Sequence, residues 1–429
     1  MSQRTNLGQW VRSAVTAVRA AVPVLFSADT NPVPRHWDHV TKIDPEPDKR
    51  LPLLYPLYLK HTDAVSVGGS SNVTAANSEA TFTLLELVEP VVFHEPSEAR
   101  HVTDETRSKA AFLAIPEVLN GDVEALVGTL GEGITYLNDE MIPSMLEDKL
   151  PAWVNVLPSD KLVDLITSWL LSSAVFEAYI IQNPESAAAR RGGVSSEDVL
   201  GAEKARERAM VADRHLKSEV VYIEYSGTYG GEEATAVIKA AADDLIRSRL
   251  WYGGGIDDRD KTKEILAAGA DTVVVGDIFH QIAAEEFRFY NEVRDQFDSI
   301  PDPDTLESWI EREIDTGTTN AAAYLHTIPR IKNPNEAAKR YLTITLSLYL
   351  ELYSRIDSSD RTGRPTIKNL QLVGQLVPKW DTHVADALSQ GNLTPNEYLS
   401  EIVMPSIAES ESADFPITHV GPNGDEDER

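Results

Sequence analysis

The sequence predicts an α/β fold, a modified (β/α)8 TIM barrel, followed by an extra all-helical C-terminal region. Three observations predict it. From His39 to Asp277 a short apolar run, a polar or glycine-rich end and a helical segment recur in that order. Eight such runs fall at 39–44, 63–69, 90–95, 110–115, 177–182, 220–225, 249–253 and 272–276, and strands alternating with helices imply a closed parallel sheet. The carboxyl ends of these runs collect acids, amides and glycines, and that is the face on which such barrels build active sites.

In chain order, Trp10, Val11, Val15, Val18 and Val22 share one face of a short amphipathic helix over about 7–25. Its two arginines make a weak basic face, so packing on the main domain is expected rather than a membrane surface. The first strand, His39-Val-Thr-Lys-Ile-Asp44, sets Lys42 and Asp44 on one face, two residues apart. A surface ion pair is one reading. The other has Lys42 binding an anion and Asp44 a hard cation such as Mg²⁺, with Ser70 at the end of the second strand giving a second oxygen. A helical stretch covers 78–88. The segment 95–109 is short and polar, so the third helix is expected to be degenerate. Between Gly121 and Ala174 a long, mostly helical stretch exceeds what a crossover needs and reads as an insertion.

The sixth run, Val220-Val-Tyr-Ile-Glu-Tyr225, is β-branched and apolar except for Glu224. A carboxylate there is costly unless paired. It is either a structural Glu bonded to a neighbouring strand or a catalytic group at a strand end, beside a Ser226-Gly227 turn that offers backbone N–H groups. Helical stretches follow at 197–217, 233–247 and 259–268. Trp251-Tyr-Gly-Gly-Gly-Ile256 and Val275-Gly-Asp-Ile278 each follow a strand and precede a helix. Glycine lets a phosphate approach the backbone, and a helix N-terminus adds its dipole. With Ser226-Gly227 they read as a phosphate cradle after strands six to eight. Beyond Phe279 helical patterns run over 283–296, 305–314, 334–356 and 396–407, expected to bury a face in a homo-oligomer or against the barrel. The organisation is then a helical extension (1–35), a barrel (36–285) with its insertion at 121–174, a helical region (286–408) and a disordered acidic tail (409–429).

Composition narrows the function. A formal net charge of −29 argues against nucleic acid, which demands a basic face. That surplus of acids suits a halophile, because salt screens the self-repulsion; an ordinary acidic cytosolic protein is the alternative. With 0 cysteines there are no disulfides, thiolate metal sites or thiol catalysis. No apolar run reaches a membrane span and no signal-peptide pattern opens the chain, so a cytoplasmic protein is expected. His36, His39, His94 and His280 lack metal-ligand spacing and read as ordinary polar residues.

Read together, His39-Val-Thr-Lys-Ile-Asp-Pro45, Gly69-Ser-Ser-Asn-Val-Thr74, Glu95-Pro-Ser97, Val118-Leu-Asn120, Tyr179-Ile-Ile-Gln-Asn-Pro-Glu-Ser186, Tyr222 to Gly230, Tyr252 to Asp257 and Gly269 to Gly276 resemble the archaeal geranylgeranylglyceryl phosphate synthases. The resemblance runs in order over about 36–280. It implies transfer of a geranylgeranyl group from its diphosphate to the 3-hydroxyl of sn-glycerol 1-phosphate, on a barrel without its third helix. It also implies roles. Lys42, Tyr222, Ile223, Glu224, Tyr225, Ser226, Gly227, Gly255, Gly276 and Asp277 would form the glycerol phosphate site, and Asp44 and Ser70 the Mg²⁺ site. Glu224 would accept or orient the hydroxyl proton and Tyr222 would hold that hydroxyl. The prenyl chain needs an apolar groove beside the fourth and fifth strands, and a lipid donor makes peripheral membrane contact an expectation.

The chain departs from that family in four places. Asp277 stands where many relatives have Asn, and the loop after Asp44 is longer and richer in proline. The 121–174 stretch is extended, with Gly133 near where some relatives carry a bulky aromatic, which implies a donor of unusual length. The C-terminal helices have no counterpart. The alternatives are a paralogue using another prenyl donor or acceptor, and a non-catalytic protein that binds a phosphate or prenyl lipid.

Overall fold

In the computed structural model, residues 29–69, 71–86, 88–143 and 159–357 are described. The expected helices at 7–25 and 396–407, the acidic tail, Ser70 and part of the 121–174 insertion lie outside them.

Eight parallel strands form the sheet: β1 (His39–Ile43), β2 (Ala64–Val67), β3 (Val91–His94), β4 (Ala114–Val118), β5 (Val175–Ile181), β6 (Val220–Glu224), β7 (Arg249–Gly253) and β8 (Thr272–Val275). Their order is β3-β2-β1-β8-β7-β6-β5-β4. The ring closes between β3 and the residues before β4, through a parallel bridge from His94 to Leu113 and an N–H of Ala111 donated to Val92 O at 2.8 Å. Side chains alternate across each strand. Val40, Phe93, Val175, Tyr179, Val220, Tyr222, Trp251 and Val274 fill the interior, whereas Ile43, Val65, Ala178, Val221, Ile223 and Val273 face the helices outside.

The helices are α1 (Tyr55–Leu59), α2 (Ala75–Leu85), α3 (Asp104–Lys109), α4 (Thr129–Tyr136), α5 (Ser159–Ser173), α6 (Ala187–Gly192), α7 (Ala202–Val211), α8 (Gly231–Ala242), α9 (Arg259–Ala268), α10 (Asp277–Gln296), α11 (Pro303–Glu313), α12 (Asn320–Thr327) and α13 (Pro334–Asp357). The third crossover is indeed reduced, to a 3₁₀ turn at Ala99–His101 and the six residues of α3, which Thr103 opens with a capping box. The fourth strand differs from expectation. Its apolar start, Ala110-Ala111, closes α3, and the strand is Ala114-Ile-Pro-Glu-Val118. Proline inside it demotes the pattern on paper. Leu113 and Leu119 bond β5, so Pro116 turns its missing N–H toward β3, where pairing has already ended.

At the amino end the chain plugs the barrel. Val33 and Trp37 join the interior, Trp37 stacks near Phe93 and Phe112, and the buried Arg249 guanidinium donates to Val33 O at 2.9 Å. The C-terminal helices pack on the outer side of β1. The chain between β1 and β2 makes only the five residues of α1, and α12 and α13 cover what it leaves. Thr41 Oγ1 and Tyr324 OH are 2.8 Å apart, and His39 Nε2 and Thr327 Oγ1 3.0 Å. Tyr58 meets Phe279 and Tyr324 edge-on beside them, and Phe279 and Tyr324 pack tilted against each other. Helix α12 escapes a pattern search because eight residues hold barely two turns; Thr319 caps it by accepting from Ala322 N–H. Among the described residues no helix is long and apolar enough to cross a membrane.

Candidate active site

Five strands aim polar groups into the carboxyl end of the barrel. Glu95, one residue past β3, is the hub. Its Oε1 accepts from Lys42 Nζ at 2.8 Å and Tyr179 OH at 2.7 Å, and its Oε2 from Ser66 Oγ at 2.9 Å. Burial pushes the Glu95 carboxyl up, but Lys42 and these hydrogen bonds outweigh it and hold it below the usual range. Burial likewise pushes the Lys42 ammonium down, and Glu95, Asp44 and Glu224 reverse that, so it stays charged. Glu177 on β5 is buried, and among the described residues neither carboxyl oxygen has a hydrogen-bond partner. Burial first, then Glu95, raise its pKa well above normal. Its carboxyl is therefore biased toward the protonated form.

Tyr222 and Glu224 both face inward from β6, because residues two apart in a strand share a side. Glu224 Oε1 accepts the Ser226 backbone N–H at 2.9 Å, and the Tyr222 hydroxyl hydrogen-bonds the same carboxyl. Burial raises the Glu224 pKa, with Lys42 opposing. The two side chains converge where Gly253 has none. A Cβ on Gly253 would lie 2.0 Å from the Tyr222 hydroxyl and 3.2 Å from Glu224 Oε2.

Beside them three loops assemble the expected cradle. Ser226 and Gly227 follow β6, Gly253 to Gly255 follow β7, and Gly276-Asp277 open α10. Gly255 has φ +50°, and a Cβ there would come within 2.7 Å of the Thr228 and Tyr229 backbone. The β7 loop therefore rests directly on the β6 loop, which only glycine permits. Asn183 Nδ2 donates to Ser226 O at 2.6 Å and steadies the turn. The first N–H groups of the 20-residue α10 have no partner inside the helix and carry its positive dipole end.

These groups line one cavity of about 570 Å³. Of the residues singled out from the sequence, Lys42, Asp44, Tyr222, Glu224, Ser226, Gly227, Gly255, Gly276 and Asp277 line it. The side chains of Ile223 and Tyr225 do not. Strand alternation turns Ile223 into the helical shell, and Tyr225 lies outside against Tyr252 with its hydroxyl on Glu233 at 3.1 Å. Ser70 is outside the described residues. The sequence reading missed Ser66, Lys49 and Glu177 and gave Glu95 and Tyr179 no role. Glu177 carries the signal that marked Glu224, a lone acid in an apolar strand.

Asp44 bears on a metal. Among the described residues no three His, Asp or Glu side chains are grouped to hold one. Mg²⁺, however, is often held by one or two carboxylates, with water and substrate phosphate completing the shell. Asp44 suits that role. Burial raises its pKa to about 6, with Lys42 and Lys49 opposing and Asp277 and Glu95 adding to the rise, so its anion lacks compensation that a divalent ion would supply.

A second, apolar cavity of about 100 Å³ adjoins the first, sharing Pro96, Ser97 and Pro116. Leu113 and Ile115 beside and on β4, Leu130 and Ile134 on α4, and Leu170 on α5 are among its walls. Gly133 lines it, and among the described residues a Cβ there would meet Ala99 alone within 4 Å, at 3.8 Å. The stretch read as an insertion thus builds the wall of an apolar groove.

The sequence profile of the PcrB family matches residues 127–294. The chain is 31% identical over 255 residues to a geranylgeranylglyceryl phosphate synthase of Halobacterium salinarum, covering 59% of this chain and 92% of the relative. It is 33% identical over 251 residues to a heptaprenylglyceryl phosphate synthase of Bacillus cereus, covering 57% of this chain and 90% of that one. Among solved structures, (S)-3-O-geranylgeranylglyceryl phosphate synthase from Thermoplasma acidophilum, in complex with sn-glycerol-1-phosphate, is similar at a TM-score of 0.41 and 19% identity, over 57% of this chain and 87% of that one.

Proposed function

The chain belongs to the PcrB family of prenylglyceryl phosphate synthases, and we propose that it joins geranylgeranyl diphosphate to the 3-hydroxyl of sn-glycerol 1-phosphate through an ether bond. The observation that carries this is the convergence of the Tyr222 hydroxyl and the Glu224 carboxyl over Gly253, between a glycine-built anion cradle and an apolar groove.

The acceptor phosphate binds the N–H groups around Ser226-Gly227, Gly255 and the first turn of α10. Its 3-hydroxyl then meets Tyr222 and Glu224. The bond between the allylic carbon and the diphosphate oxygen breaks, its electron pair leaving with the diphosphate. The glycerol oxygen attacks that carbon and its proton passes to Glu224. Burial has moved Glu224 toward neutrality, where a carboxylate is a better base. Lys42, locked on Glu95, keeps a positive charge beside the reacting groups. Asp44, with Ser70, would hold Mg²⁺, which when bound neutralises charge on the leaving diphosphate.

A prenyl-transfer assay in multimolar KCl with Mg²⁺ and both substrates tests this. Glu224→Ala is expected to lose at least about a hundredfold in turnover, the range of general-base effects. An Ala variant as active as wild type would remove the assignment. A longer donor is a second reading, favoured by the open space at Gly133. Competition among C15, C20, C25 and C35 donors decides it, and a strict C20 preference rejects the longer chain.

A further inference from the structure

The cradle contains a contradiction: Asp277, in the first turn of α10, sets a carboxylate where an anion is to bind. The structure supplies the answer from the far end of the barrel sequence. Lys49 Nζ lies 2.6 Å from Asp277 Oδ1 and 3.8 Å from Asp44 Oδ2. We propose that Lys49 is the counter-charge that makes the first turn of α10 able to hold the acceptor's phosphate, so that Lys49 and Asp277 together behave as a neutral polar cap. The inference rests on the glycerol phosphate reading above.

Three observations support it. First, the loop carrying Lys49 is tied to α10 itself. His280, one turn along that helix, accepts the Asp44 backbone N–H on Nε2 at 3.1 Å and bonds Arg50 O through Nδ1 at 3.0 Å. One imidazole thus holds the loop on both sides of Lys49, and its hydrogen bonds set the tautomer with the proton on Nδ1. Second, the Asp277 side chain is 63% exposed and that of Lys49 29%. An ion pair so open adds little to stability. Its electrostatic effect on a neighbouring phosphate is larger, because it cancels a like charge at close range. Third, both residues line the same cavity as Ser226, Gly255 and Gly276. Lys49 is therefore a positioning residue for binding and acts through Asp277.

Calorimetric titration with sn-glycerol 1-phosphate, without donor, tests the proposal on the intact chain. Lys49→Ala is expected to weaken binding by about tenfold or more, since it leaves Asp277 facing the dianion. Asp277→Asn should tighten binding several-fold. The double variant Lys49→Ala/Asp277→Asn should return to within about threefold of wild type, the non-additivity of two groups that act as one. Lys49→Ala binding as tightly as wild type would overturn the inference. A double variant as weak as Lys49→Ala would also overturn it, by showing that Lys49 touches the ligand itself. No affinity in the wild type would reject the glycerol phosphate reading, and this inference with it. Melting curves of each variant verify that the exposed substitutions leave the fold intact.

Discussion

Gly253→Ala should cripple catalysis through a single methyl group. A Cβ at that position would sit 2.0 Å from the Tyr222 hydroxyl, 2.8 Å from its Cζ and 3.2 Å from Glu224 Oε2. Non-bonded carbon and oxygen need roughly 3.2 Å or more, so the hydroxyl must retreat by about 1 Å. It has little room. The Tyr222 ring is buried, 4.4 Å from the Tyr179 ring centroid and 6.4 Å from that of Trp251, and both neighbours are themselves buried. A misplacement of about 1 Å at reacting groups costs on the order of a hundredfold in rate. Overpacking a tight site costs about 1–3 kcal/mol of stability. Steady-state kinetics with sn-glycerol 1-phosphate, read beside a denaturant melt, should therefore show kcat down by about a hundredfold in a protein that still folds. Adding Tyr222→Phe removes the nearest atom but leaves Cζ at 2.8 Å, so the double variant should recover only part of the lost stability. If Gly253→Ala kept kcat within about threefold of wild type at unchanged stability, the convergence of Tyr222 and Glu224 would not be what this strand end provides.

Glu286 on α10 is buried where the helix meets the 51–59 segment and α13, accepting from Leu53 N–H at 3.1 Å and Tyr58 OH at 3.2 Å, and burial raises its pKa to about 8. An acid whose folded pKa lies above its unfolded value stabilises most at low pH. Stability should fall as pH rises from about 4.5 to about 8 and level off above, by about 3 kcal/mol at pH 7. Glu286→Gln should flatten that slope in urea melts at pH 5, 7 and 9, and parallel profiles for variant and wild type would reject the burial argument. Gly133→Trp, reaching into the apolar cavity that Gly133 lines, should cut turnover of C25 and longer donors more than that of C15, read as a ratio of kcat/KM values. An equal effect on all donors would mean that Gly133 does not face the chain. With a net charge of −29, the melting temperature should climb as KCl rises from 0.1 M to multimolar, where the Debye length falls to about 3 Å; a flat response would refute adaptation to salt.

Most of the barrel was legible because its signals are local. Strand alternation has a period of two, so Tyr222 and Glu224 had to share a face wherever β6 was placed, and likewise Lys42 on β1 and Asp44 just past its end. Glycines after strands seven and eight declared backbone exposed at strand ends, and the reduced third crossover followed from a segment too polar and short to pack as a helix. The fourth strand slipped by four residues because Ala110-Ala111 is as apolar as a strand should be, and only the capping of α3 claims it.

Sequence by itself determined the fold class and which strand ends would carry charge. Tertiary structure alone decided which of those charges meet. Glu95 gathers Lys42, Ser66 and Tyr179 from three strands, and Lys49 reaches Asp277 across 228 positions of chain. It also decided that α12 covers the outer face of β1, where Thr41 and His39 bond it. The physical reason is one of range. Propensity and periodicity act over a few residues and fix which way each side chain points, whereas partners depend on register around a closed ring and on loop paths, which are set only when the whole sheet has packed.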